Sequence, residues 1–346
     1  MPTRLPARIE HLVFAGGGMR GLSYVGALQE LAAQGHDFWS SARQLKGVAG
    51  SSIGALFAVC IAARVSVDYL LMELRRFTVD SILAIDPSLL FYDRGLDPGI
   101  KLRTFIDEVL QRTVGKATIT MHELHLSSRL HLIIPITDLV DGKTLYLDHL
   151  NAADVSVAEL LAISMSLPVV YTPKTFRGHL CVDGGLMDNF PMHLFPEQTT
   201  LGLRSCWTHE GKLESLSQYA SRVVYCAIAS CEHHQWRKMS KEHREHTISV
   251  DVGNIKTVEF FLTPDQIEQL MEYGRNAVRA ICSQSHLQAL LQAAIVQLAS
   301  HVQVLMPRHA PEQGSLRVAQ LDHEDHEDKE EYHHQAEQEG QQPTAA

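Results

Sequence analysis

The chain has 346 residues, of which 45% are hydrophobic and 20% charged, and its formal charge is −10. Nine acidic residues and one lysine between Asp322 and Ala346 carry −8 of that charge, so residues 1–321 are near neutral and offer no basic field to nucleic acid. Six scattered cysteines without CxxC spacing argue against a disulfide scaffold and against a structural zinc site.

Targeting segments are not evident. The first ten residues lack the apolar run and the small-residue cleavage site of a signal peptide. The longest apolar run, Gly54 to Ala63, is too short to cross a bilayer. These features predict a cytoplasmic protein without a signal peptide or a transmembrane segment, with room for a peripheral contact at membranes.

The first predicted unit is a buried strand, Arg8–Ala15, followed by a glycine turn and a helix, Gly21–Gln34. The turn, Gly16-Gly17-Gly18-Met19-Arg20-Gly21, contains the GxGxxG spacing of dinucleotide-binding proteins, and Asp37 lies near the position of a ribose-binding acid. A dinucleotide-dependent oxidoreductase is therefore one hypothesis.

The same glycine turn has a second interpretation. Consecutive glycines expose backbone N–H groups at the start of a helix, where these groups and the helix dipole stabilise an oxyanion. Arg20 adds a positive charge beside them. The turn alone does not distinguish an oxyanion hole from a dinucleotide site.

The second predicted unit repeats the arrangement, with a strand at Leu45–Ala49 and a helix at Ile53–Ala63. Between them, Gly50-Ser51-Ser52-Ile53-Gly54 fits GxSxG, and the strand-to-helix context is the one that a nucleophile elbow requires. Ser52 is the candidate nucleophile. The alternative is a glycine-packed turn with a surface serine.

The rest of the chain continues the alternation of helices and strands, which predicts an α/β fold with ligands at the carboxyl edge of a parallel sheet. The predicted helices are Val67–Phe77, Ser81–Phe91, Ile100–Val114, Val155–Leu167, Leu216–Glu232, Thr263–Cys282 and Ser285–Leu305. The predicted strands are Leu130–Thr137, Thr144–Leu147, Lys174–Phe176, His179–Asp183, Leu201–Ser205 and His246–Val252.

A nucleophilic serine requires a general base. Asp183 follows a short apolar strand and precedes Gly184 and Gly185, so it is held at a tight turn, although an Asp-Gly turn is also common in hairpins. In α/β-hydrolase order, a histidine after this acid is the other candidate base, and the formally allowed residues are His193, His209 and His246.

Apolar residues in the segment 69–91 have two interpretations. They form the core-facing stripes of two amphipathic helices, or a cap that faces lipid. The residues concerned are Tyr69, Leu70, Leu71, Leu74, Phe77, Ile82, Leu83, Ile85, Leu89, Leu90 and Phe91.

Taken in order, the three motifs resemble the patatin-like phospholipase family, whose pattern is Gly-Gly-Gly-x-Arg/Lys-Gly, then GxSxG, then Asp-Gly-Gly/Ala. Gly16 to Gly21, Gly50 to Gly54 and Asp183 to Gly185 match without departure. Pro168, Asn189-Phe190-Pro191 and the stretch from Phe260 to Gly274 are also similar to family members. The resemblance covers about Arg8 to Cys282.

The resemblance implies a three-layer α/β/α fold with a mostly parallel central sheet, plus C-terminal helices. We therefore predict an acyl hydrolase domain at 1–282, a helical extension at 283–321, and a disordered acidic tail at 322–346, since the tail lacks Leu, Ile, Val and Met.

The resemblance also implies a Ser52–Asp183 dyad without histidine, and an oxyanion hole built from the glycine turn. The expected reaction is hydrolysis of phospholipid or lysophospholipid esters, without metal or cofactor and with a transient membrane contact. Some bacterial effectors of the family await a host activator, and the sequence leaves open whether this chain needs one. A catalytically silent or latent lipid-binding protein on the same fold is the alternative.

Overall fold

The computed structural model describes residues 3–36, 38, 45–75, 83–206, 216–253 and 262–283. The strands in this part of the chain are β1 (His11–Phe14), β2 (Gly47–Gly50), β3 (Gly95–Asp97), β4 (His131–Asp138), β5 (Lys143–Leu147), β6 (Val169–Tyr171), β7 (Lys174–Phe176), β8 (His179–Asp183), β9 (Thr200–Cys206) and β10 (Thr247–Asp251).

The α-helices are α1 (Leu22–Ala33), α2 (Ile53–Ala62), α3 (Val67–Arg75), α4 (Leu89–Tyr92), α5 (Ile100–Val114), α6 (Met121–Ser128), α7 (Val157–Ser164), α8 (Leu216–Lys238), α9 (Lys241–Glu245) and α10, which covers 264–283. Short 3₁₀ turns follow β1 at Gly18–Gly21 and β8 at Gly184–Leu186. The first turn contains the end of the glycine motif, and the second follows Asp183 directly.

The central sheet has eight strands in the order β10-β9-β1-β2-β4-β8-β7, with β5 paired to β4. The pairs from β10 to β4 are parallel, whereas β8, β7 and β5 join by antiparallel pairs. The strands β3 and β6 form a separate parallel pair. The predicted α/β class with a mostly parallel central sheet is confirmed.

Helices cover both faces of this sheet. Along β1, Leu12 and Phe14 belong to the large hydrophobic cluster that includes the apolar residues of α1 and α2, whereas Val13 belongs to a second cluster with Phe190 and Phe195. Since successive side chains of a strand point to opposite faces, the two clusters lie on opposite sides of the sheet. Every residue of α2 is buried, which agrees with its almost uniformly apolar sequence.

The strands β2 and β8 lie end to end along one side of β4. His131 donates its backbone N–H to the Lys46 carbonyl just before β2, and Leu139 donates its N–H to Leu180 in β8. The backbone groups of successive residues in a strand point alternately to its two sides, so residues an even number apart bond to the same side. His131 and Leu139 are such a pair, and β2 and β8 therefore lie on the same side of β4. Pro135 lies between His131 and Leu139, and its backbone groups point to that side as well.

The two strand ends approach each other closely. The pairing of β2 with β4 ends at Ile133, and that of β8 begins at Ile136, opposite Asp183. A Cβ at Gly184 would lie 2.3 Å from the Pro135 carbonyl oxygen and 3.0 Å from Ser51 Oγ. The sheet therefore brings the second and third predicted motifs together at one gap.

Most predicted elements are confirmed within a few residues, but the helix predicted at Ser81–Phe91 is wrong. Of its described residues, 83–88 are not helical, and α4 begins only at Leu89. Pro87 disfavours helical backbone at Asp86, whose side chain instead accepts a hydrogen bond from the Ser88 N–H at 2.9 Å.

Two further predictions, the helix at Ser285–Leu305 and the acidic tail, lie outside the described residues. The predicted boundaries at 282 and 321 fall at or beyond their end and stay predictions. Across the described ranges, no helix combines the length and apolarity needed to span a membrane.

Candidate active site

Ser52 occupies a sharp turn between β2 and α2. Its backbone angles, φ 55° and ψ −126°, are rare for a residue with a side chain and are the mark of a strained turn. Gly50 and Gly54 make the turn possible, because a Cβ at Gly50 would lie 2.2 Å from the Gly54 carbonyl and one at Gly54 would lie 2.4 Å from the Phe14 carbonyl. The geometry is that of a nucleophile elbow.

The Ser52 backbone is fixed from the neighbouring helix. Its N–H donates to Ser164 Oγ at 3.2 Å, and Ser164 Oγ donates to the Pro135 carbonyl at 2.8 Å. Pro135 lies at the gap between β2 and β8, so one hydroxyl connects the elbow to the sheet. The sequence motifs did not identify Ser164.

Asp183 is the last residue of β8 and is 1% exposed. Its Oδ1 accepts the Gly185 N–H at 2.7 Å. Its Oδ2 is buried and makes no well-aligned hydrogen bond to any residue that the structure describes. The second oxygen of this carboxylate is therefore the one left for a reacting group.

Burial raises the pKa of the Asp183 carboxyl to about 7. The Ser52 side chain and the Gly185 amide act in the opposite direction and lower this pKa, but by less than burial raises it. The Ser52 hydroxyl is thus close enough to interact with the carboxylate, although it is not aligned in a formal hydrogen bond. A carboxyl with this pKa suits proton transfer near neutral pH.

The glycine turn lies against the elbow. A Cβ at Gly16 would lie 3.2 Å from Ser52 Cβ, and one at Gly21 would lie 2.9 Å from the Ile53 side chain. The dinucleotide hypothesis is not supported by this arrangement, because Gly16 and Gly21 are packed against Ser52 and Ile53. Asp37, its proposed ribose ligand, is outside the described residues.

The amides of the glycine turn differ in their hydrogen bonding. Gly16 donates its N–H to the Asn189 carbonyl at 3.1 Å. Within the described ranges, the N–H groups of Gly17 and Gly18 have no acceptor. Two unsatisfied amides near the elbow are what an oxyanion hole requires.

Arg20 lies beneath the glycine turn and is 1% exposed. Its Nε donates to the Gly17 carbonyl at 3.2 Å, so it fixes the backbone of the turn. Burial lowers the pKa of Arg20 to about 10, and the nearby Tyr225, Tyr24 and Glu232 oppose that shift. The guanidinium therefore stays charged at neutral pH.

Asn189 joins the glycine turn to the turn after Asp183. Its Nδ2 donates to the Gly16 carbonyl at 3.4 Å and to Glu232 Oε2 at 3.2 Å. Glu232 lies on α8 and is also 3.7 Å from Arg204 Nη1. In the sequence, only the family-like Asn189 points to this hydrogen-bond network. No sequence motif points to Glu232.

The alternative histidine bases lie elsewhere. His193 is exposed, and its Nδ1 is 3.7 Å from Asp188 Oδ2 rather than beside Asp183. His246 is buried at the other end of the sheet, where its Nδ1 is 2.8 Å from the Glu197 carbonyl. His209 is outside the described residues. The described geometry thus favours Asp183 alone as the partner of Ser52.

One group of side chains in the described ranges has the spacing of metal ligands, Asp138, Asp141 and His179. His179 Nδ1 is 2.7 Å from Asp138 Oδ2, and Lys143 Nζ is 2.6 Å from Asp141 Oδ2. Each side chain of the group already has a partner, so the network stabilises the end of β4 as it stands.

The apolar residues at 69–91 divide between the two interpretations. Leu70 and Leu83 are buried in the core. Ile85, Phe91 and Tyr92 are exposed, the last two by 85% and 81%. Leu74, Phe77 and Ile82 lie where side chains are not described. The most exposed apolar side chains of this stretch therefore lie just before α4 and in α4 itself.

Comparison with known proteins finds a matching family model and several similar proteins. The model of the patatin-like phospholipase family matches residues 12–196. Uncharacterized protein R571 of Acanthamoeba polyphaga mimivirus is 23% identical over 282 residues, which is 79% of this chain and 93% of that protein. The Mus musculus protein named 1-acylglycerol-3-phosphate O-acyltransferase Pnpla3 is 26% identical over 189 residues, 54% of this chain and 42% of that one.

Among solved structures, VipD from Legionella pneumophila has a TM-score of 0.50 at 14% identity, over 82% of this chain and 71% of that one. Such a likeness concerns the fold alone. The family match is broader evidence, because it spans more than half of the chain and contains the glycine turn, the elbow and the Asp-Gly-Gly turn. The chain belongs to the patatin-like phospholipase family.

Proposed function

We propose that the protein is a serine acyl hydrolase that cleaves fatty-acid esters of phospholipids or lysophospholipids through an acyl-Ser52 intermediate. One observation carries the proposal: a serine at a strained elbow and a buried carboxylate with a pKa of about 7 meet where β2 and β8 end. Family membership supports the lipid substrate class.

In the first step, Ser52 Oγ attacks the ester carbonyl carbon and gives its proton to Asp183. The resulting tetrahedral intermediate collapses, the carbon–oxygen bond to the alcohol breaks, and Asp183 returns the proton to that alcohol. The released alcohol leaves an acyl ester on Ser52.

The amides of Gly17 and Gly18 are the proposed donors to the oxyanion of this intermediate, because neither has another acceptor within the described part of the chain. Gly16 and Gly21 allow the turn to pack against the elbow. Arg20 is a positioning residue that acts through the Gly17 carbonyl.

In the second step, a water molecule replaces the alcohol. Asp183 takes a proton from the water as it attacks the acyl carbon, and returns it to Ser52 Oγ when the ester bond breaks. The fatty acid is released and both residues regain their starting states. The oxyanion donors serve both steps.

A lipid substrate has to be reached at a membrane or micelle surface. The exposed Ile85, Phe91 and Tyr92 support a transient, peripheral membrane contact through the segment around α4. The proposal assigns catalysis to residues 1–282, so removal of Asp322–Ala346 is expected to leave hydrolysis in place.

The decisive experiment labels the purified protein with a fluorophosphonate probe and measures fatty-acid release from a panel of phospholipids and lysophospholipids. Labelling and release in the wild type, both lost in Ser52→Ala, support the proposal. Release that Ser52→Ala and Asp183→Asn leave unchanged contradicts it. Lipid binding without labelling indicates the silent alternative, and activity only after addition of a cell extract indicates a protein activator.

Acyl transfer is a second candidate, favoured by the acyltransferase name of the mouse relative. An acceptor alcohol would then replace water in the second step. Adding a lysophospholipid acceptor to the same assay distinguishes the two: hydrolysis yields free fatty acid, whereas transfer yields the diacyl product.

A further inference from the structure

The side-chain amide of Asn189 has one end that is bound and one that is not. Asn189 is 6% exposed, and its Nδ2 donates to the Gly16 carbonyl at 3.4 Å and to Glu232 Oε2 at 3.2 Å. Both partners are acceptors, so the amide nitrogen faces them and the amide oxygen points away from them. None of the residues that the structure describes donates to Asn189 Oδ1. This oxygen is therefore available to a bound molecule.

Two glycines make room for the Asn189 oxygen, and both belong to the candidate site. A Cβ at Gly16 would lie 2.3 Å from Asn189 Oδ1, and one at Gly185 would lie 2.6 Å from it. A side chain at either position would displace the oxygen. Gly16 belongs to the glycine turn and Gly185 to the Asp-Gly-Gly turn, so two separate motifs converge on one acceptor.

The same two glycines relate Asn189 Oδ1 to the dyad. The Cβ position at Gly16 is also 3.2 Å from Ser52 Cβ. The Cβ position at Gly185 is also 3.0 Å from Asp183 Oδ1. The Asn189 oxygen is thus a neighbour of the nucleophile across one glycine and of the base across the other. It is a third polar side chain beside the dyad.

Water and alcohols differ in the number of protons that need an acceptor during the reaction. The Ser52 hydroxyl and the alcohol that leaves in the first step each carry one proton, which Asp183 takes or returns. Water carries two, and Asp183 takes only one of them. The oxygen of the attacking water becomes more positive as its bond to the acyl carbon forms, so an acceptor for the second proton stabilises this transition state.

We propose that Asn189 Oδ1 accepts a hydrogen bond from the attacking water and thereby favours hydrolysis over acyl transfer. The proposal rests on the proposed function. The water oxygen bonds to the acyl carbon, one proton passes to Asp183, and the other stays on the oxygen and donates to Asn189 Oδ1. The bond to Ser52 Oγ then breaks, Ser52 Oγ takes the proton from Asp183, and the fatty acid leaves with the retained proton.

An alcohol that attacks the same acyl-enzyme has no second proton to offer. Its alkyl group replaces that proton, so Asn189 Oδ1 loses contact with water and gains no donor. An acceptor left in this state costs free energy. The penalty falls on transfer alone, which makes Asn189 a residue that selects the nucleophile.

The test measures how one acyl-enzyme divides between water and methanol. The full chain is acylated with p-nitrophenyl butyrate in buffer that contains methanol, and butyric acid and methyl butyrate are quantified in the same sample. The Ser52→Ala protein gives the background of both products. Because the two products come from one intermediate, the rate of acylation and the concentration of active enzyme cancel from their ratio.

Asn189→Ala is expected to raise the ratio of methyl butyrate to butyric acid about tenfold, the effect of one hydrogen bond on a rate. Asn189→Asp keeps an acceptor oxygen and should retain the wild-type ratio. Glu232→Gln is the matched control, because it alters the partner of Nδ2 and leaves Oδ1 in place, and it should also retain the ratio.

An unchanged ratio in Asn189→Ala would overturn the proposal. So would an equal rise in Asn189→Asp or Glu232→Gln, since the effect would then belong to the contacts of Nδ2. If circular dichroism shows that Asn189→Ala does not fold, Asn189→Ser takes its place. Its oxygen is one bond nearer the backbone and does not reach the position of Oδ1, so the same rise is expected.

Failure of the proposed function gives a different result. A wild type that forms neither product above background overturns the proposed function and this proposal with it. A wild type that forms product in a ratio that Asn189→Ala leaves unchanged overturns this proposal alone. If the wild type forms butyric acid only, the appearance of methyl butyrate in Asn189→Ala supports the proposal, and its absence overturns it.

Discussion

The backbone amide of Ser52 donates to the hydroxyl of Ser164 at 3.2 Å, so a helix residue more than a hundred positions away fixes the candidate nucleophile. Ser164 is buried, and its hydroxyl bridges to the Pro135 carbonyl. The elbow is thus held by α7 as well as by its own glycines.

We expect Ser164→Ala to reduce kcat about tenfold and to lower the free energy of unfolding by about 1–2 kcal/mol, because it leaves the Ser52 amide and the Pro135 carbonyl unsatisfied. Esterase kinetics and urea denaturation measure the two effects. Ser127→Ala, at an exposed serine on α6, is the control. Wild-type kcat in Ser164→Ala would show that the bridge does not position Ser52.

Activity should depend on pH through Asp183. A base acts only when deprotonated, and burial raises the pKa of this carboxyl to about 7. We therefore expect kcat/KM to rise with pH, about tenfold per unit below 7, and to level off above it. A pH profile with a soluble ester tests this. A plateau that extends down to pH 5 would contradict the assignment.

The same carboxyl should make the protein less stable at high pH. Its pKa is about 7 when folded, against an ordinary value of 3.8, so its contribution to stability is complete below about pH 4 and is lost as the pH rises through 7. Asparagine removes this dependence. Asp183→Asn should therefore raise Tm at pH 8 by more than at pH 5.

Thermal denaturation at the two pH values measures the difference, with Asp251→Asn at an exposed carboxylate as the control. A Tm gain that is equal at both pH values would instead indicate a packing effect of the amide.

The strained backbone of Ser52 gives a test that is independent of catalysis. Glycine adopts positive φ readily, whereas alanine does not, so Ser52→Gly should be more stable than Ser52→Ala by about 1 kcal/mol. Urea denaturation compares the two variants. At Ser23, inside α1, the order should reverse, since alanine is the better helix former.

Membrane contact should depend on the exposed aromatic residues of α4. Phe91→Ser with Tyr92→Ser is expected to weaken binding to phospholipid vesicles about tenfold, because it removes two large apolar side chains from the lipid interface. Vesicle sedimentation measures the binding, and hydrolysis of a soluble ester should be unchanged. Unaltered sedimentation would place the contact on another surface.

The sequence predicts elements well where local signals determine them. The helix Ile100–Val114 has its predicted bounds because Gly99 and Gly115, both with φ of 75°, flank it. The helix α6 was missed although Thr120 and Glu123 form a capping box that the sequence displays. The three-residue strands β3 and β6 are too short for a periodic signal.

The residues of the candidate site also differ in whether local sequence signals predict them. Ser52 and Asp183 could be predicted because their glycine neighbours mark tight turns at strand ends. Ser164 and Glu232 could not, since each lies in an ordinary helical sequence and gains its role from contacts made across the fold. The raised pKa of Asp183 likewise follows from burial, which no local pattern specifies.

Pro135 limits the backbone hydrogen bonds that β4 can make at the gap between β2 and β8. A proline has no N–H to donate, so this point of β4 cannot complete a regular ladder on that side, and only its carbonyl faces the gap. The discontinuity leaves an opening through which Ser164 reaches the Ser52 amide from the helical layer. A β-strand that bridged the two ends would complete the hydrogen bonding of the sheet, but it would block the contact by which Ser164 holds the candidate nucleophile.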